Sequence, residues 1–149
     1  MYTYRQLGGG DVAKMKELNR VFGEAFNDAE SYQSALPSDE YLQKFLAKEE
    51  AIVLVAEAAD VIVGGLVAYE LKKFEQERSE IYIYDLAVAA EHRRKGIATA
   101  LIEKLKAIAK ERGAYIIYVQ ADKADAPAIE LYKKLGRGED VLHFDIPVE

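Results

Sequence analysis

Apolar positions along this chain repeat with two periods, and the alternation between them lays out the elements. Val12, Met15, Leu18, Val21, Phe22, Ala25 and Phe26 fall three or four residues apart, the spacing of one helix face. Tyr41, Leu42, Phe45 and Leu46 repeat it, as do Ile97, Leu101, Ile102, Leu105, Ile108 and Ala109, and then Ala128, Leu131, Tyr132 and Leu135. Four helices are predicted. Between and around them stand Tyr2–Leu7, Ala51–Ala58, Val61–Leu71, Ile81–Val88, Ala114–Gln120 and Val141–Ile146, whose β-branched and aromatic content predicts strands.

The punctuation agrees with the periods. Gly8 to Gly10 break the first strand before Asp11, a good N-cap, and Ser38 caps the second helix with Asp39 and Glu40 in its first turn. Gly113 stops the third helix, Asp125 and Pro127 open the fourth, and Gly136 ends it. Asn27 to Leu36 reads as an exposed loop before Pro37, and Lys72 to Ser79 as a charged loop. Ala59-Asp60 turns two strands into an antiparallel hairpin, in which Gly64-Gly65 marks a bulge or a close approach. The order is β-α-α-β-β-β-α-β-α-β. Its strand-helix-strand unit implies a right-handed parallel crossover, so the class is α/β with a mixed sheet.

Composition narrows what such a domain does. At 149 residues, half of them hydrophobic and 31% charged, the chain suits one globular domain, 1–149. Met1 to Leu7 has no apolar core, and the run Ala51 to Tyr69 is broken by Glu57, Asp60 and two glycines, so neither a signal peptide nor a membrane span is expected. The absence of cysteine excludes disulfides, thiolate zinc sites and a cysteine nucleophile. No acids are spaced around His92 and His143 as a metal site requires, and no metal is expected. A net charge of −6 argues against nucleic acid and suits a cationic substrate. A cytoplasmic enzyme fits these bounds.

One stretch carries chemistry. After the strand ending at Val88, the loop EHRRKGIAT places Arg93, Arg94 and Lys95 before Gly96, where a new helix exposes its unpaired N–H groups. Small residues at Gly96, Ala98 and Thr99 let a phosphate reach that backbone, and the helix dipole favours the anion. The spacing matches neither an ATP-binding P-loop nor the three-glycine dinucleotide fingerprint. Within the strand, Asp85 is a lone carboxylate among apolar neighbours, either a candidate base or the partner of an ion pair or bulge.

Arg93-x-x-Gly96-x-Ala98 after that strand resembles the acetyl-CoA signature of the GCN5-related N-acetyltransferases, the GNAT family. Ala128-x-x-x-Tyr132-x-Lys134-x-Gly136 is similar to the family's second motif, with Asp125 where an asparagine is common and Arg137 where an aromatic is usual. FEQERSEIYIYDLAVAAEHRRKGIATALI, GAYIIYVQAD and VLHFDI resemble, within that family, the small aminoglycoside 3-N-acetyltransferases acting on gentamicin-class antibiotics, over nearly the whole chain.

The resemblance implies the GNAT acyl-CoA N-acyltransferase fold, acetyl-CoA as donor and a cationic aminoglycoside as acceptor. It implies cofactor contacts along Leu86, Ala87 and Val88, whose N–H groups would hold a developing oxyanion, and around Arg93, Arg94, Lys95, Gly96, Ile97, Ala98 and Thr99. Asp85 would accept or relay the amine's proton, and Tyr132, otherwise a core residue, would donate to the departing thiolate. Glu80, Tyr82, Asp85, Asp122 and Asp145 are the candidates for holding the acceptor, and a homodimer is compatible with the resemblance. Two alternatives stay open: a polyamine or protein amine as acceptor, and a non-catalytic acyl-CoA sensor.

Overall fold

The structure, a computed structural model, describes residues 1–149. In chain order its elements are β1 Thr3–Gln6, α1 Val12–Ala25, α2 Ala29–Gln33, α3 Asp39–Ala47, β2 Ala51–Ala58, β3 Val61–Lys72, β4 Ser79–Val88, a 3-10 turn Ala90–His92, α4 Ile97–Arg112, β5 Ala114–Val119 and α5 Ala126–Leu135. The strands form one sheet in the order β1-β2-β3-β4-β5. Neighbours are antiparallel except β4 and β5, which the α4 crossover makes parallel.

Helices cover both faces of the sheet, which explains why β2 is buried from Ala51 to Glu57 without alternating. On one face Ile52, Leu54, Leu66, Ile81 and Ile83 pack against Ile97, Leu101 and Leu105 of α4, with Leu131 and Tyr132 of α5 at the margin. On the other, Val53, Val55 and Val67 pack against Met15, Leu18 and Phe22 of α1 and Leu42 and Leu46 of α3. Gly65 is where α1 comes closest: a Cβ there would stand 2.6 Å from Leu18 Cδ1 and 2.7 Å from the Leu54 carbonyl. The close approach anticipated at this glycine pair is present.

Two buried carboxylates tie the layers together. Glu57 accepts from Arg5 Nε at 2.9 Å and lies 2.8 Å from Lys14 Nζ, joining β2 to β1 and α1. Glu70 accepts from Ser79 Oγ at 2.7 Å and from Arg112 at 2.8 Å, anchoring the end of α4 to β3 and β4. Each clamp gives a buried charge the partners it requires.

Several local features depart from the sequence pattern. Asp28 caps a short helix, accepting from Ser31 N–H at 3.2 Å, so the expected loop at Asn27 to Leu36 contains α2. Asp11 stands at the start of α1, yet its carboxylate turns back to Gly8 N–H at 2.8 Å and to Arg5, bracing the glycine turn rather than the helix. The strand expected at Val141–Ile146 is not formed. Its apolar alternation is real, but a strand exists only against a paired edge, and residues 136–149 are exposed and bond to no strand of the molecule.

Candidate active site

The site begins where β4 breaks its own regularity. Val67 of β3 pairs with Asp85 while Ala68 pairs with Ile83, so Tyr84 is an extra residue, a β-bulge. Pairing of β4 with β5 ends at the same level, at Ile83↔Val119. Beyond it Tyr84 to Val88 have β3 on one side and no strand on the other. The bulge also brings two consecutive side chains, Tyr84 and Asp85, to one cavity.

That cavity, about 220 Å³, is lined by Met15, Asn19, Phe22, Tyr41, Leu42, Phe45, Val67, Tyr69, Tyr84 and Asp85. It is smaller than the roughly 300–1,000 Å³ that encloses a drug-sized ligand. Asp85 is its single carboxylate. Burial pushes the Asp85 pKa above the usual carboxylate range, opposed by a 2.6 Å hydrogen bond from the Tyr32 hydroxyl. Its own burial, and then the same contact, raise the Tyr32 pKa strongly, so Tyr32 keeps its proton and donates it to Asp85. A half-buried carboxylate whose pKa burial has raised is a stronger base toward an ammonium than an exposed one.

Next to the open stretch of β4 lies the basic loop. Arg94 adopts φ 63° and Gly96 φ 79°, the left-handed conformation, so the backbone turns sharply twice before α4 begins. None of the six amides from Arg94 to Thr99 meets an acceptor within the protein, and α4 has no side-chain N-cap. A Cβ at Gly96 would meet nothing within 4 Å, so the cradle is open. Arg94, Lys95 and Thr99 are exposed around it. Arg93 differs: its Nε donates to the Val88 carbonyl at 3.1 Å, pinning the loop to the end of β4. His92 accepts from or donates to the Tyr2 hydroxyl at 2.9 Å and belongs to the loop's support.

Tyr132 stands on α5 and packs against the α4 face of the core, the same cluster that Leu86 and Val88 border. Burial, then the nearby Asp125 charge, raises its pKa, so the phenol keeps its proton and has it to donate. Asp125 and Pro127 open this helix as the sequence indicated, Asp125 accepting from Ala128 N–H at 3.3 Å.

Of the five acceptor candidates, Asp85 alone lines the cavity. Glu80 is held by the Tyr115 hydroxyl at 2.7 Å and by Lys73 at 3.5 Å, contacts that keep its pKa low. Tyr82 stacks on Tyr118, centroids 4.8 Å apart, and donates to Gln120. Asp122 is exposed after β5, and Asp145 is bonded to His143 at 2.8 Å on the exposed C-terminal segment. The sequence reading missed Tyr32, hidden in a segment taken for a loop, and the lining of Met15, Phe22, Tyr41 and Phe45, whose helical spacing is that of ordinary core. Neither has a local signal, because the cavity forms only when α1 and α3 meet β3 and β4.

Against known proteins, a family model for the acetyltransferase (GNAT) family matches residues 15–136. An aminoglycoside acetyltransferase from an uncultured soil metagenomic sample is 59% identical, with a TM-score of 0.98, covering 100% of this chain and 99% of that one. A second, from a like source and solved in complex with sisomicin, is 33% identical with a TM-score of 0.92, covering 99% of this chain and 97% of that one. An N-alpha-acetyltransferase of Sulfurisphaera tokodaii is 31% identical over 145 residues, 91% of this chain and 79% of its own.

Proposed function

We propose that this chain, which belongs to the acetyltransferase (GNAT) family, transfers the acetyl group of acetyl-CoA to the 3-amino group of a gentamicin-class aminoglycoside, by direct attack in a ternary complex. The family's donor is a thioester, which supplies an activated acyl carbon. The six free amides from Arg94 to Thr99, with Arg94 and Lys95, would hold its pyrophosphate, and Leu86 to Val88 would present backbone to its acyl arm and oxyanion. Asp85 binds the acceptor's ammonium and removes its proton, directly or through water. The freed nitrogen pair forms the new C–N bond, the C–S bond breaks, and Tyr132 supplies a proton to the leaving sulfur.

The observation that carries the aminoglycoside reading is the 59% identity over the whole chain to an aminoglycoside acetyltransferase. The cavity agrees, with its one carboxylate among aromatic walls that suit the apolar face and charged amine of an aminosugar. A second reading, a peptide amino terminus as acceptor, is favoured by the N-alpha-acetyltransferase relative. Gentamicin, spermidine and a peptide with a free amino terminus, assayed in parallel for CoA release, separate them. Turnover of gentamicin with acetylation at the 3-amino group, located by NMR, is the expected result. Turnover of the peptide alone overturns the antibiotic reading; acetylation at another amine overturns the position, and cofactor binding without turnover of any amine favours a sensor.

A further inference from the structure

The aromatic wall of the Asp85 cavity continues beyond it. Tyr69 and Tyr84, both on the lining, meet edge to face with centroids 6.1 Å apart and planes at 89°. Tyr84 then meets Tyr82 at 6.0 Å and 75°, and Tyr82 stacks on Tyr118 of β5 at 4.8 Å and 17°. The contacts follow the sheet, since Tyr69 is paired with Tyr82, and Tyr82 with Tyr118. A row of four phenols therefore runs from the cavity across β3 and β4 to β5.

The outer part of this row has no helix over it. Ile81 and Ile83 pack on the α4 face, so Tyr82 between them points to the face that carries α1. There the buried core takes Ala87 alone from β4 and nothing from β5. Tyr84 is 62% exposed and Tyr118 37%. Of the four hydroxyls only that of Tyr82 is bonded within the protein, donating to Gln120 Oε1 at 3.1 Å. Burial raises the pKa of Tyr69 and of Tyr82, so both phenols stay neutral.

We infer, on the aminoglycoside reading, that Tyr84, Tyr82 and Tyr118, with Gln120 at the far end, form a second acceptor subsite, which holds the sugar ring next to the one acetylated at Asp85. At about 220 Å³ the cavity is too small to enclose a drug-sized ligand, and a three-ring acceptor bound at Asp85 extends past its mouth. Tyr84 belongs to both the cavity and the row, which makes the row a continuation of the site. The chemistry also matches. Phenol hydroxyls without protein partners and the amide of Gln120 suit a ligand hydroxylated at most positions, and aromatic rings attract its ammonium groups.

The test compares gentamicin with 2-deoxystreptamine, the single ring of gentamicin that bears the 3-amino group, for the full chain and for Tyr118→Ala. The variant should raise the KM for gentamicin roughly three- to tenfold with kcat kept. Its KM for acetyl-CoA should not move, nor its KM for 2-deoxystreptamine, or Ki where that ring only inhibits. In the unaltered protein carrying ring-labelled tyrosine, the Tyr118 resonance should shift with gentamicin and not with 2-deoxystreptamine, a readout that needs no variant to fold. An equal change for both acceptors, no change for either, or a Tyr118 resonance unmoved by gentamicin overturns the inference. So does a Tyr118→Ala protein that departs from the parent in sedimentation and not in KM, because the face is then a contact between copies. Where the parent turns over gentamicin and these results fail, the subsite alone is lost; where it turns over neither aminosugar, the aminoglycoside reading falls and the subsite with it.

Discussion

Removing the Tyr32 hydroxyl tests whether Asp85 acts as a base. Tyr32→Phe keeps the ring between Phe22 and Phe26, whose centroids lie 6.0 and 5.9 Å away, and deletes the 2.6 Å donation to Asp85 Oδ2. That bond favours the ionised carboxylate, whereas burial, the larger influence, favours the neutral acid and raises the pKa. Without it ionisation becomes harder still, so the acid limb of kcat/KM should move to higher pH. A hydrogen bond to a charged group contributes about 1.5–3 kcal/mol, so below the limb the variant should be slower by roughly ten- to a hundredfold, and above it the two proteins should converge. The assay is CoA release against pH for both proteins with one amine, so that the amine's own titration cancels in the ratio. A ratio that does not vary with pH, or a limb that stays or moves down, would refute the reasoning and leave Tyr32 as a packing residue.

Asp85→Asn should lower kcat/KM for the amine by roughly 10² to 10⁴ with CoA affinity and Tm retained, because burial already opposes the charge it removes; a joint fall in Tm and CoA affinity would mark the residue as structural. Gly96→Val forces a branched residue to φ 79°, at a cost of about 1–2 kcal/mol, and projects it into the open cradle, so a folded variant should lose CoA binding in calorimetry. Unchanged affinity would move the phosphate site elsewhere. Lys14, then Arg5, hold the Glu57 pKa below its ordinary 4.5, so this acid contributes stability that is present above pH 4.5 and lost as pH falls through the lower folded value. Glu57→Gln should therefore cost about 1–3 kcal/mol in urea unfolding at pH 7, and the gap should narrow in acid; a constant gap contradicts the assignment.

Five strands of the sheet and the basic loop with its open amides were legible because they are written locally. Runs such as Ile81–Val88 and the face Ile97-Leu101-Leu105 show their period within a few residues, and a phosphate cradle needs only a strand end, a left-handed glycine and a helix start in succession. The cavity at Asp85 is assembled from afar. Tyr32 reaches Asp85 across 53 positions, and the cavity wall draws on α1, α3, β3 and β4, so Phe22 and Phe45 look like any core aromatics until the layers meet. Val141–Ile146 failed for another reason: alternation reports that a segment is suited to an edge, and says nothing of where that edge is.

The extra residue at Tyr84 is, in the gene, one codon, and heredity can add or remove it in a single step. Deleting it would let Asp85 follow Ile83 with every later side chain on the face it already occupies, since Val67 and Ala68 would then meet consecutive partners. The straightened β4 would no longer be bent where it parts from β5 at Val119, and the two strands would be free to continue pairing. Such a deletion should yield a protein that melts no lower than the parent and transfers no acetyl group, a lesion invisible to expression and visible only to assay. Activity that survives the deletion would mean that the gap beside β4 has another origin.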